Sequence, residues 1–128
     1  MLEKQLVIPE GTDRASMVIA PAVRVGGMLY LSGAPGRDPE TGELAGDDIV
    51  SQARQALANL GRVLEAAGSS WDKVVKVNGF LAHVKRDFAG WNVAFKEVFP
   101  TDPPARTTVS GDIALEGALI EVELIAIA

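Results

Sequence analysis

Apolar residues recur every three or four positions along one long stretch of the chain. The repeat runs from Ile49 to Ala67, and this spacing predicts an amphipathic helix with one buried face. Asp47 or Asp48, just before the repeat, can accept hydrogen bonds from the free N–H groups of the first turn. Gly68, just after it, tolerates the backbone conformation that ends a helix.

A second stretch with helical spacing is shorter and rich in aromatic residues. Its apolar positions are Phe88, Trp91, Phe95 and Val98. The spacing predicts a helix over residues 87–98. Pro100 follows just past its end, where a proline cannot continue the helix.

Runs of residues that favour β-strand account for most of the remaining apolar positions. Gly26-Gly27 separates two such runs, residues 23–25 and 28–31, and predicts a β-hairpin with a two-residue turn. Residues 34–43 are dense in turn formers and predict an exposed loop. Residues 74–81 have apolar side chains at both odd and even positions, as in a central strand with both faces covered.

Two further strands are predicted over residues 106–109 and 119–127, and residues 5–8 suit an edge strand. The element order therefore predicts an α+β fold with a sheet of five or six strands. Two helices cover only one face of such a sheet, yet several strands are apolar on both faces. A second copy of the chain is the simplest cover for the other face, which would place pockets between subunits.

The composition limits the classes of protein to consider. A chain of 128 residues predicts one domain, residues 1–128. The net charge of −5 and the absence of a basic stripe argue against nucleic acid as a partner. No cysteine and a single histidine, His83, predict neither a metal site nor redox chemistry. No apolar run approaches the length of a membrane span, so a cytoplasmic protein with no membrane partner is expected.

Two acidic residues interrupt the apolar strand over residues 119–127. Period-two alternation puts Glu121 and Glu123 on one face with two isoleucines, and Ile120, Val122 and Leu124 on the other. Carboxylates in such a place are either solvated at a rim or paired with a cation. Arg106 can pair with them at a rim, or it can bind the carboxylate of a substrate with its planar fork of donors.

Weaker candidates lie elsewhere in the chain. Ser32-Gly33 follows the hairpin, where a glycine allows a ligand to approach the backbone closely, although such a pair also suits a simple turn. Asn92 can contact a ligand or satisfy a neighbouring backbone group. His83 is expected at the surface, and no serine, histidine and acid form a recognisable triad pattern.

Several short motifs, in order and at characteristic spacing, resemble the RidA family, also called the YjgF family, of enamine and imine deaminases. The resemblance covers nearly the whole chain. The clearest motifs are Leu31-Ser32-Gly33, Pro103-Pro104-Ala105-Arg106 and Ile120-Glu121-Val122-Glu123, and shorter matches occur at residues 21–26, 38–44, 65–68, 74–77 and 87–88 and at Asn92.

This resemblance implies a mixed sheet with two helices on one face, as in Bacillus chorismate mutase, and a homotrimer with sites between subunits. It implies that Arg106 binds the carboxylate of a small imino or keto acid and that Glu121 positions or activates a water. By the same matching, Ser32, Gly33 and Asn92 line the pocket, and Thr108 occupies a position where many members have cysteine or alanine. No cofactor is implied.

The chain departs from the best-known deaminases at two positions. Ile19 stands where they have a tyrosine, and Ala34 stands where they commonly have a glutamine. A pocket wall without the phenol and the amide is more apolar, which bears on substrate preference.

The resemblance favours a 2-iminobutanoate/2-iminopropanoate deaminase that hydrolyses reactive imines to 2-oxo acids and ammonia. The alternatives are a deaminase or hydrolase of another small amine in one pathway, and a non-catalytic trimer that binds small carboxylates. Wherever the site lies, Arg106 and Glu121 are expected to face one shared pocket at a subunit boundary. Positions on opposite faces of the sheet would contradict this assignment.

Overall fold

The computed structural model describes residues 2–128 and has the α+β architecture that the sequence predicts. A six-stranded sheet packs against two helices. Two single-turn 3₁₀ helices lie in the connections, at Arg14–Ser16 and Trp71–Lys73. The strands and helices are, in chain order, β1 Gln5–Val7, β2 Ala22–Val25, β3 Met28–Pro35, α1 Ile49–Ala66, β4 Val74–Leu81, α2 Val84–Val98, β5 Ala105–Ser110 and β6 Ile120–Ile127.

The sheet is mixed, with strand order β1-β2-β3-β6-β4-β5. Only β4 and β5 pair in parallel, and α2 makes the crossover between them. All other neighbours are antiparallel. The last strand, β6, therefore lies inside the sheet between β3 and β4, and β5 forms one edge.

The turn between β2 and β3 confirms the predicted hairpin. Gly26 and Gly27 have φ angles of 55° and 81°, the left-handed conformation that the two central residues of a tight hairpin turn require. Val25 and Met28 are paired directly across the turn. This hairpin continues into β3, which contributes part of the candidate site.

The start of α1 settles which aspartate caps it. The Ser51 N–H donates to the Asp48 carboxylate at 2.9 Å, so Asp48 and not Asp47 is the N-cap. This hydrogen bond lowers the pKa of Asp48. At the other end, Gly68 has a φ of 76° and follows the last helical turn, as predicted.

Two predicted boundaries are wrong. Helix α2 begins at Val84, three residues before Asp87, because the chain turns directly after β4 and the Asp87 N–H donates to the His83 carbonyl oxygen at 2.9 Å. His83 is the exposed N-cap. Strand β3 continues through Ala34 and Pro35, which were expected in a loop, because an irregularity after Leu31 restores their pairing with β6.

The helices cover one face of the sheet. Residues directly paired across strands share a face, and one such row runs from β1 to β5 through the whole sheet. Its members are Val7, Ala22, Leu31, Leu124, Val77 and Arg106. All but Arg106 are buried in the core with the apolar residues of α1 and α2. We call this side of the sheet the helix face.

The opposite side, which we call the open face, is covered by no helix among residues 2–128. Its rows include Leu6, Val23, Tyr30, Phe80, Val109, Glu121, Glu123 and Ile125. Leu6 is 49% exposed and Tyr30 is 46% exposed, although both lie in strands. An apolar sheet face left exposed is typical of an association surface. Among the described residues, no helix is both long and apolar enough to span a membrane.

Candidate functional site

Arg106 lies on the helix face of β5, at the edge of the sheet, with its guanidinium among aromatic rings. The guanidinium carbon is 4.6 Å from the ring centre of Phe95, 5.4 Å from that of Phe88 and 5.5 Å from that of Trp91. Its Nη2 donates to Asn92 Oδ1 at 2.8 Å. Partial burial lowers the pKa of Arg106, but an arginine stays charged in a protein.

Among the residues that the structure describes, Arg106 does not form the rim ion pair that the sequence left open. Within residues 2–128, the ion pairs are Arg54 with Glu97 and Arg86 with Asp87. The guanidinium is thus held by an amide oxygen and by rings, and donors of its planar fork remain for an external carboxylate.

A cavity of about 340 Å³ adjoins Arg106, and we call it the Arg106 cavity. Apolar side chains form much of its wall, and Arg106, Asn92 and Lys96 add polar groups. The lining residues are Asn92, Phe95, Lys96, Phe99, Pro103, Pro104 and Arg106. Such a cavity, mostly apolar with a few polar anchors, suits a small organic acid.

Thr108 lies two residues after Arg106 and therefore on the same face of β5. Its Oγ1 accepts a hydrogen bond from the indole N–H of Trp91 at 2.9 Å. The structure thus brings Arg106, Asn92 and Thr108 to one place, and we call these three the Arg106 group.

A second group of predicted site residues surrounds the end of β3. Ile19, Ser32, Gly33 and Ala34 all line a cavity of about 220 Å³, together with residues of α1. The Ser32 hydroxyl donates to the Ala20 carbonyl oxygen at 2.6 Å, which fixes the segment before β2 against β3. Ile19 is 63% exposed at the mouth of this cavity.

Glu121 lies next to this second group on the open face. A Cβ atom built on Gly33 would come within 3.1 Å of the Glu121 Cδ, so the glycine makes room for the carboxylate. Glu121 also lines a cavity of about 300 Å³ with Glu123, Phe80 and Asp112. Asn78 donates to Glu123 Oε2 at 3.2 Å, whereas no side-chain hydrogen bond occupies Glu121 among the described residues. We call Ile19, Ser32, Gly33 and Glu121 the Glu121 group.

Arg106 and Glu121 are separated by the sheet itself. Arg106 is paired with Val77, and Glu121 is paired with Phe80. Positions 77 and 80 of one strand point to opposite faces, because side chains alternate along a strand. Within one chain, Arg106 and Glu121 therefore cannot share a pocket, which contradicts the site assignment for two residues of the same copy; a pocket that they share at a subunit boundary stays a prediction. A shared pocket requires two copies.

Sequence reasoning missed the part that three aromatic residues play in this site. The sequence predicts Phe88, Trp91 and Phe95 only as the apolar face of α2. In the structure they surround the Arg106 guanidinium. Their helical spacing with Asn92 between them is the signal that was available. What the spacing does not give is the position of β5 beside that helix.

The chain is similar to known proteins along most of its length. Residues 15–128 match the family described as Endoribonuclease L-PSP. A RutC family protein of Pyrococcus horikoshii is 36% identical over 123 residues, which are 96% of this chain and 97% of the relative. The 2-iminobutanoate/2-iminopropanoate deaminase of Mus musculus is 38% identical over 119 residues, covering 91% of this chain and 87% of that enzyme.

Solved structures give the same result for the fold. A Rid family protein of Yersinia pestis superposes with a TM-score of 0.90 at 34% identity, covering 98% of this chain and 100% of that one. RidA of an Antarctic Psychrobacter superposes with a TM-score of 0.86 at 35% identity, covering 97% and 99%. With its sequence and its fold both matched over most of its length, the chain belongs to the RidA (YjgF) family.

Proposed function

We propose that the protein is an imine deaminase, which hydrolyses small 2-imino acids, formed from 2-aminoacrylate-type enamines, to 2-oxo acids and ammonia. One observation carries this proposal. Arg106 is a partly buried cation without a carboxylate partner among the described residues, and it borders a cavity of about 340 Å³. Relatives that are 36–38% identical have the name 2-iminobutanoate/2-iminopropanoate deaminase, which supports the substrate class.

The reaction needs orientation and proton transfer more than it needs a strong nucleophile. Water adds to the electrophilic carbon of the C=N bond, protons move to the nitrogen, and the C–N bond breaks to release ammonia and leave a C=O group. Arg106 holds the carboxylate and so fixes the imine carbon. Glu121 accepts a hydrogen bond from the attacking water and removes its proton. No step requires a cofactor.

We propose that these two residues meet between copies of the chain, in a homotrimer. The open face of each copy is covered by its neighbours, and the Arg106 group of one copy faces the Glu121 group of the next. The exposed apolar residues of the open face support this arrangement, since Leu6 and Tyr30 each remain nearly half exposed in one chain. Symmetric closed assemblies are the usual way to cover such a surface.

Ile19 and Ala34 adjust the pocket in this proposal. Both line the cavity at the end of β3, beside Leu60 and Val63 of α1. The wall that they form is apolar. We therefore propose that imines with aliphatic side chains, such as 2-iminobutanoate, are the preferred substrates.

The test generates 2-iminobutanoate and 2-iminopropanoate freshly in solution and follows the release of ammonia above the spontaneous rate. Wild type is expected to accelerate release. Arg106→Ala is expected to be inactive while its circular dichroism and its assembled mass stay unchanged. Arg106→Lys keeps the charge but loses the bidentate fork, so it is expected to retain only part of the activity. Equal rates for wild type and Arg106→Ala would rule out this function.

RNA cleavage, which the description of the matched family names, has weaker support from this chain. The net charge is −5, and the single histidine is exposed at the start of α2 with no second histidine to act as its acid or base partner. To test for RNA cleavage, an RNA substrate is incubated with wild type and with Arg106→Ala, and the amount of cleaved RNA is compared.

A further inference from the structure

Trp91 fills a space that β4 leaves open for it. Its side chain is fully buried, and a Cβ atom built on Gly79 would lie 3.0 Å from the Trp91 Nε1 and 3.2 Å from its Cε2. Any larger residue at position 79 would push the indole away from the sheet. The glycine therefore lets the indole pack closely against the backbone of β4.

From this position the indole N–H reaches β5. Gly79 and Thr108 are direct partners in the β4–β5 pairing, and the Trp91 Nε1 donates to Thr108 Oγ1 at 2.9 Å. An indole nitrogen is a donor only, so the Thr108 oxygen is the acceptor and its own proton stays free. The bond thereby sets the rotamer of Thr108 and directs its O–H away from Trp91.

The same indole also borders Arg106. The guanidinium carbon is 5.5 Å from the centre of the Trp91 ring, within the range of a cation–π contact. Trp91 thus contacts two side chains that lie two positions apart on the edge strand. Both belong to the Arg106 group and lie on the helix face of β5, and Arg106 forms part of the wall of the Arg106 cavity.

Because Arg106 is proposed to bind the substrate carboxylate, we infer that Trp91 is a positioning residue: its N–H orients the Thr108 hydroxyl as a second donor to that carboxylate, beside Arg106. Trp91 itself does not touch the substrate. Asn92, the next residue on α2, holds Arg106 from the other side through its amide oxygen. Two adjacent residues of α2 therefore fix the orientation of both donors, the Arg106 guanidinium and the Thr108 hydroxyl.

The experiment measures the binding of 2-oxobutanoate, a stable 2-oxo acid, by calorimetry on the assembled protein. Trp91→Phe keeps a ring and loses the N–H, and Thr108→Val keeps the shape and loses the hydroxyl. Each is expected to weaken binding about five- to tenfold. The double variant is expected to bind no more weakly than Thr108→Val alone, because both changes remove the same hydrogen-bonded unit.

A Trp91 that only fills the core gives a different result. In that case the effects of the two single variants on affinity multiply in the double variant, or Trp91→Phe binds as wild type does, and either result overturns the inference. Circular dichroism and assembled mass report the folding of each variant. Should Trp91→Phe fail to fold, Thr108→Val decides alone, since unchanged affinity in that variant also overturns it.

The same measurements distinguish failure of this inference from failure of the proposed deaminase function. Binding of 2-oxobutanoate that depends on positions 91 and 108, without acceleration of imine hydrolysis, supports the inference and contradicts the deaminase. Imine hydrolysis that is unaffected by both substitutions supports the deaminase and overturns the inference. Absence of 2-oxobutanoate binding by wild type overturns the inference as well.

Discussion

Arg106 and Glu121 extend from opposite faces of the same sheet, one paired with Val77 and the other with Phe80 of the strand between them. No rotamer change brings them together, because the sheet backbone separates them. If both act on one substrate, each site takes its arginine from one copy and its glutamate from another. This division has consequences that can be measured in mixed assemblies.

The first prediction is complementation between two defective variants. Arg106→Ala and Glu121→Ala are unfolded together and refolded at equal concentrations, so that copies mix. A site with both native residues forms where a Glu121→Ala copy supplies Arg106 and an Arg106→Ala copy supplies Glu121. Random mixing in a cyclic assembly is expected to restore about a quarter of the wild-type sites.

The control for complementation mixes Arg106→Ala with the double variant Arg106→Ala/Glu121→Ala. No copy in that mixture carries Arg106, so the mixture is expected to stay inactive. If the first mixture is no more active than this control, the two residues do not share a site between copies.

The second prediction concerns the open face. Ile125 is paired with Tyr30 on one side and with Lys76 on the other, near the middle of this face, and a carboxylate there would lose its hydration in an assembly, a cost that one neighbouring cation does not offset. Ile125→Asp is expected to shift the mass in solution from three times the 13.5 kDa of one chain to one chain, with loss of imine hydrolysis. Val93→Asp, at a position 51% exposed on α2, is the control and is expected to stay assembled. Light scattering after gel filtration distinguishes the results, and a trimeric Ile125→Asp would contradict the proposed interface.

The third prediction tests whether the protein's stability depends on the close packing of Trp91 against Gly79. Gly79→Ala places a methyl group 3.0 Å from Trp91 Nε1 in a fully packed region, and overpacking of this kind costs about 1–3 kcal/mol. Denaturant unfolding is expected to show this loss. Gly111→Ala is the matched control, since its nearest contact would be Phe80 at 3.7 Å, an ordinary packing distance. Equal stability of the two variants would show that the indole moves freely.

The fourth prediction is a pH dependence at the start of α1. The hydrogen bond from the Ser51 N–H lowers the pKa of Asp48 in the folded protein. The stabilisation is therefore complete above the unfolded-state pKa of about 3.9 and is lost as the pH falls through the lower, folded-state value. Asp48→Asn also caps a helix but does not titrate.

Thermal unfolding from about pH 6 to about pH 3 compares wild type with Asp48→Asn. The advantage of wild type in Tm is expected to shrink as the pH falls. A constant difference across this range would show that the charge of Asp48 contributes nothing to the cap.

Local patterns were sufficient for most elements of this fold. The three- and four-residue spacing located α1, and strict alternation placed Glu121 and Glu123 on one face of β6 with Ile125, as the structure shows. The start of α2 was missed because His83 is not a typical N-cap, although Val84, four residues before Phe88, continues the apolar repeat and packs against the core. Such signals are short-range, so they fail where the surrounding chain decides the geometry.

The position of Arg106 relative to Glu121 depends on a long-range quantity. It is set by the register between β4 and β5, which pairs Val77 with Arg106, and a shift by one residue would have moved Arg106 to the open face. No local pattern in residues 103–110 encodes that register. The ring of aromatic residues around Arg106 was missed for the same reason, since Phe88, Trp91 and Phe95 reach the guanidinium only once β5 lies beside α2.

The inner position of β6 also bears on how the chain is made. Strand β6 joins β3 to β4, and without it the hairpin of β2 and β3 has no sheet partner in the second half of the chain. A nascent chain leaving the ribosome therefore cannot complete its sheet until residues 120–127 have emerged. Until then β3 and β4 expose unpaired edges, and during synthesis these edges are the part of the molecule most open to chaperones and to misassembly.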